Sequence, residues 1–177
     1  MKLRSLCLCA LFAALTAAGA FLRIPLGYTS VTLQFFFTAM AGVLLGAKYG
    51  ALSQLLYVLL GLAGLPVFTL GGGLGYVLQP GFGYLLGLIP AAWVIGKVTQ
   101  KRRETRFLYA AMALGLLTLY AVGLPYLWLI SAVFLDRNLT LTAVLTGGLL
   151  VYLPGDAAKI VAAAFLCGRL RDRLPVR

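Results

Sequence analysis

The chain has 177 residues, 62% of them hydrophobic and only 11% charged, against about a quarter charged in soluble domains. That excludes an ordinary water-soluble globule, and the unbroken apolar runs disfavour a transmembrane barrel, whose strands alternate apolar and polar residues. The net charge of +11 does not indicate nucleic acid, because the cations cluster beside apolar runs, where cytoplasmic loops carry them.

Crossing the hydrocarbon layer takes ~20 mostly apolar residues, so about six spans fit into one integral membrane domain over residues 1–177, an all-α fold. The basic opening and the apolar run through Leu22 imitate a signal peptide, but the run is longer than a signal core and more spans follow. It reads as the first helix, with the N-terminus inside. Ala10, Ala14 and Ala18 recur along it at a spacing that lets another helix approach closely in lipid, although alanine is also simply a good helix former.

Residues Arg23 to Leu33 hold Pro25 and Gly27 and break the helix. Gln34 to Lys48 form a short second span, Lys48-Tyr49-Gly50 a tight turn, and Ala51 to Leu62 begin the third. From Gly61 to Gly87 there are nine glycines and two prolines, Pro66 and Pro80, a density that no regular helix sustains. Irregular backbone at membrane depth is tolerated where it is buried in protein or lines a cavity. This stretch is the first pointer to function.

Phe82 to Val98 read as the fourth span, followed by the KRRETR loop, and Phe107 to Val122 as the fifth. Gly123 to Leu153, with Pro125, the polar step at Asp136, Arg137 and Asn138, and Gly147-Gly148, predicts short helices at the outer surface. A sixth span runs from Gly155 to about Asp172, ~27 Å at 1.5 Å per residue. Six spans place both termini in the cytoplasm. Twelve Lys and Arg then fall inside against Arg23 and Arg137 outside, a strong orientation signal.

The chemistry is narrowed by what is missing. Without histidine there is no Ser-His-Asp triad and no His-bearing zinc site. Cys7, Cys9 and Cys167 do not form a disulfide framework. No phosphate-binding loop exists, since Gly96-Lys97 is followed by Val98, so the chain does not power transport by ATP hydrolysis alone. Asp156 is the only acidic residue expected within a span, so carboxylate-pair catalysis has no second partner there, and no span carries the polar stripe of a channel.

Asp156 and Lys159 stand out. Ionisable groups inside spans cost about 2.5–3.5 kcal/mol each on insertion scales and mark function by default. At i and i+3 they share a helix face, and Asp156 lies in the first turn, where the helix dipole favours a carboxylate. They form either a structural ion pair or a site for a ligand with N–H donors and a carbonyl or carboxylate. Gln34 and Thr32, Gln79 and Gly73 in the glycine-rich segment, and the rings of Phe68, Tyr76, Phe82 and Tyr84 are candidates for the rest of a small-molecule pocket.

The runs GLAGLPVF (Gly61 to Phe68), PGFGYLLG (Pro80 to Gly87) and LPGDAAK (Leu153 to Lys159), with RIPLG (Arg23 to Gly27) and TLQ (Thr32 to Gln34), resemble the BioY family. These are the biotin-specific substrate-capture (S) components of energy-coupling factor (ECF) transporters. PGFGY departs from the family's more usual P-T-G-G-Y, placing Phe82 where the pocket shape is set. The resemblance implies a six-helix S-component fold that binds biotin near the outer face of the cell membrane. It implies that Asp156 and Lys159 contact the polar ring, with the glycine-rich loop closing over it. It further implies a transmembrane coupling protein with two cytoplasmic ATPases as partners, reached through Ala10, Ala14 and Ala18. An S component of the same fold for another vitamin is the alternative.

Overall fold

The computed structural model describes residues 3–26, 29–101, 104–134 and 139–170. Lys2, Arg102, Arg103, the polar step at 136–138 and the tail arginines Arg171, Arg173 and Arg177 lie outside those residues. Helix α1 (Leu3–Phe21) leads into an antiparallel hairpin of β1 (Arg23–Leu26) and β2 (Thr29–Thr32). Arg23 pairs with Thr32 and Ile24 with Val31. The sequence predicts only a helix break here. The β-branched Ile24, Val31 and Thr32 suit a pleated pair, and in a two-stranded ribbon Pro25 need not donate to a further neighbour.

Helix α2 (Gln34–Leu62) is interrupted at Gly46, where φ is 78° and ψ 177°, a backbone essentially confined to glycine. The chain reverses there. The side chains of Gln34 and Tyr57 are 2.7 Å apart, whereas a straight helix would separate those residues by ~35 Å. Arms 34–45 and 47–62 therefore run antiparallel. They meet so tightly that a Cβ on Gly50 would lie 2.9 Å from the Gly42 Cα. The turn expected at Lys48-Tyr49-Gly50 is thus displaced: Gly46 supplies the positive φ, and Gly50 serves the close approach.

Residues 63–81 form the glycine-rich connection, with a short 3-10 turn at Leu74–Leu78. Helix α3 (Phe82–Lys101) follows, then α4 (Thr105–Val133). The expected end of the fifth span at Val122 is corrected, because α4 continues through Pro125 to Val133, about three more turns, and buries Leu127 and Ile130 there. Gly123 does not stop the helix; it makes room for the Tyr84 ring, which a Cβ there would approach to 2.5 Å. Helix α5 (Leu141–Leu145) is capped by Thr140, whose side chain accepts from the Ala143 amide at 3.2 Å. A π-helical turn (Thr146–Leu150) then leads into α6 (Leu153–Leu170).

Among the described residues, five segments are long and apolar enough to cross a membrane: Leu3–Phe21, Gln34–Leu62, Phe82–Gln100, Arg106–Val133 and Leu141–Leu170. Helix α3 packs on α2 and α4, α1 lies against α2, and α6 fits between α2 and α4. Fully buried alanines at these seams, among them Ala39, Ala91, Ala111 and Ala163, let the backbones approach. Large apolar side chains such as Leu11, Leu117, Trp128 and Phe165 point outward. In water such a surface would be costly; against lipid tails it is not.

Candidate ligand-binding site

The site begins at the first turn of α6. Pro154 needs no helical amide partner there, and the Asp156 amide closes the turn onto the Tyr152 carbonyl at 2.9 Å. Asp156 and Lys159, one turn apart, are 5% and 8% exposed and form an ion pair. A pair so buried is stable only if its remaining valences are filled. Tyr120 of α4 donates its hydroxyl hydrogen to the second carboxylate oxygen of Asp156. Lys159 donates a second bond to the Thr32 carbonyl, at the end of β2, at 3.0 Å. Three elements therefore converge on one acid and one base.

Beside them opens a cavity of about 130 Å³. Leu85, Leu88, Leu116 and Leu119 form an apolar wall, and Thr32, Gln34, Tyr120, Asp156 and Lys159 a polar one. Thr69, Leu70, Tyr76 and Gln79 close it from the glycine-rich connection. Burial holds the Tyr76 phenol above its ordinary pKa, against a smaller opposing pull from Thr69.

Of the other expected site residues, Gln34 is buried at the cavity edge, and its amide nitrogen donates to the Tyr57 hydroxyl. Tyr84 lines the cavity while its hydroxyl donates to the Gly148 carbonyl at 2.7 Å. Gln79 sits exposed at the rim. Phe68 and Gly73 are not among the lining residues. Phe68 lies fully buried behind Tyr76, their ring centres 4.6 Å apart. Gly73, at φ 97°, donates its amide to the Gly61 carbonyl at 2.7 Å and turns the connection back toward α2. Ala10, Ala14 and Ala18 are exposed on the side of α1 away from its buried residues Cys9, Phe12, Ala13 and Thr16.

Two contributions escaped the sequence pattern. Tyr120 reads as one more aromatic in an apolar span, and the one available signal was that a buried phenol needs a hydrogen-bond partner. The Thr32 carbonyl is a backbone group, which no side-chain pattern marks. Arg23 donates to the Thr69 carbonyl and ties β1 to the glycine-rich connection.

The model of the BioY family matches residues 1–176. The chain belongs to the BioY family. Among its BioY relatives is a Lysinibacillus sphaericus protein named "Probable biotin transporter BioY", 44% identical over 94% of this chain and 86% of that one. The Thermotoga maritima "Biotin transporter BioY" is 35% identical over 96% of each chain. The crystal structure of the S-component for biotin from an ECF-type ABC transporter superposes with a TM-score of 0.84 at 30% identity, covering 97% of this chain and 92% of that one. With these BioY relatives and its apolar helices, the chain is a multi-pass protein of the cell membrane.

Proposed function

We propose that this chain is the substrate-binding subunit of an ECF transporter, and that it captures biotin near the outer membrane face. Its relatives carry the name of biotin transporters, and the matching solved structure is a biotin S-component. The observation that carries the reading is that Asp156 and Lys159 border a cavity and are braced by Tyr120 and Thr32 as well as by each other. A carboxylate acceptor beside an ammonium donor suits a ureido group, which offers N–H donors and a carbonyl. The leucine wall suits the apolar remainder. The chain is a transport subunit, not an enzyme.

The finer topology belongs to the same proposal. Counting the two arms of α2 separately gives six helical crossings in a single membrane domain, with both termini cytoplasmic. The reversal at Gly46 and the twelve-to-two distribution of basic residues support it. The partners are a transmembrane coupling protein and two cytoplasmic ATPases, with the exposed Ala10, Ala14 and Ala18 as the contact surface. The ligand contacts are Asp156, Lys159, Gln34, Tyr84 and Gln79, while Phe68 and Gly73 shape the closing segment from behind.

Calorimetry on the purified protein tests the reading. Biotin should bind, riboflavin and thiamine should not displace it, and displacement by either would assign the cavity to a different vitamin.

A further inference from the structure

Four groups outside the ion pair form a single line of hydrogen bonds. The Thr32 hydroxyl donates to the Gln34 side-chain oxygen at 2.7 Å, the Gln34 amide nitrogen to the Tyr57 hydroxyl at 2.7 Å, and that hydroxyl to the Val67 carbonyl at 3.1 Å. The direction is fixed by its last member. A carbonyl only accepts, so Tyr57 must donate to Val67 and accept from Gln34, which leaves the Gln34 oxygen for Thr32. Donors aligned in one sense polarise one another. At its other end the line meets the site, because the Thr32 carbonyl accepts from Lys159.

Val67 lies in the glycine-rich connection, whose Thr69 and Leu70 close the cavity. Two more side chains hold this segment by its carbonyls, Arg23 at Thr69 and Tyr126 at Val77. Tyr57 differs from both. It is buried, its ring meets Phe68 edge-on at 5.5 Å, and it alone of the three bonds to a cavity-lining side chain, Gln34.

We propose that Tyr57 is a positioning residue that links occupancy of the cavity to closure of the segment over it, through its hydroxyl bonds to Gln34 and Val67. The proposal rests on the reading of the cavity as the biotin site. A ligand carbonyl that draws Lys159 from Thr32 acts on the strand end where the line starts. A segment detached at Val67 conversely loosens Gln34. Such reciprocity is what coupling between two places requires.

The full chain in detergent provides the test. Cys7, the exposed native thiol, is removed, and Leu85→Cys, on the buried cavity wall that the segment covers, reports opening through its rate of alkylation. Tyr57→Phe keeps the ring and removes the hydroxyl. It should speed ligand-free alkylation and biotin release by roughly five- to tenfold, the share of one buried hydrogen bond. Gln34→Met should speed ligand-free alkylation as well, and combining it with Tyr57→Phe should add little, since both break one line. Combining Gln34→Met with Tyr126→Phe should multiply the effects, since Tyr126 holds the segment independently. Wild-type alkylation in Tyr57→Phe, or effects of Gln34→Met and Tyr57→Phe that multiply, would overturn the proposal. Should Tyr57→Phe fail to fold, Gln34→Met alone must still open the segment in the absence of ligand, and its failure to do so counts equally against it. Absence of biotin binding by the wild type would remove the functional reading, while the ligand-free alkylation still decides whether Tyr57 holds the segment.

Discussion

Lys159 and Thr32 lie 127 positions apart, yet the ammonium of one donates to the carbonyl of the other at 3.0 Å. This bond joins the last helix to the hairpin after the first, and it closes the polar end of the cavity. It also gives Lys159 a neutral partner beside its charged one. A ligand carbonyl can therefore replace Thr32 without the ion pair being broken.

Replacing Asp156 by alanine should weaken biotin binding by about 1–3 kcal/mol, the cost of a lost buried hydrogen bond that leaves its partner unpaired. Lys159 then has Thr32 alone. Titration calorimetry on the variant measures the loss, and affinity equal to that of the wild type would remove Asp156 from the site.

Tyr120→Phe retains the ring that meets Tyr84 at 6.1 Å and deletes only the bond to Asp156. Affinity should fall by about 0.5–1.5 kcal/mol, in keeping with one hydrogen bond. The loss should vanish when Asp156 is already alanine, which a double-mutant cycle read by calorimetry would establish.

Gly46→Ala forces a side chain into a backbone at φ 78° and ψ 177° and brings it to 2.7 Å from the Gln100 amide. Gln100 is exposed and can move, so the conformational strain dominates, about 1–3 kcal/mol. The unfolding midpoint in detergent should drop accordingly. Gly64→Ala, also at positive φ (104°) but with open space around it, serves as the comparison for strain without crowding.

Ala14→Trp places a bulky ring on the exposed face of α1, away from the cavity. Biotin binding by the isolated chain should be unchanged, whereas co-purification with the coupling protein and biotin uptake should be lost. Normal uptake would show that the partner docks elsewhere.

Much of the fold was legible because lipid imposes a coarse rule: a crossing must be apolar and helical. The first helix, the irregular stretch after Leu62 and the helix that bears LPGDAAK follow from that rule and from where glycine and proline stand. Boundaries were less legible. Glycine marks a reversal at Gly46, a close approach at Gly50 and ring clearance at Gly123, and composition does not distinguish the three.

The sequence by itself determined that this is a membrane protein of several spans and that an acid and a base one turn apart on the final helix are the candidate centre of its chemistry. Those conclusions rest on the energy of each residue against hydrocarbon, a local property. Only the tertiary structure decided which groups complete that centre: the Tyr120 hydroxyl, the Thr32 carbonyl and the line through Gln34 and Tyr57. Hydrogen bonds act over about 3 Å between residues distant in the chain, so their partners are set by how the helices pack and leave no periodic trace in the sequence.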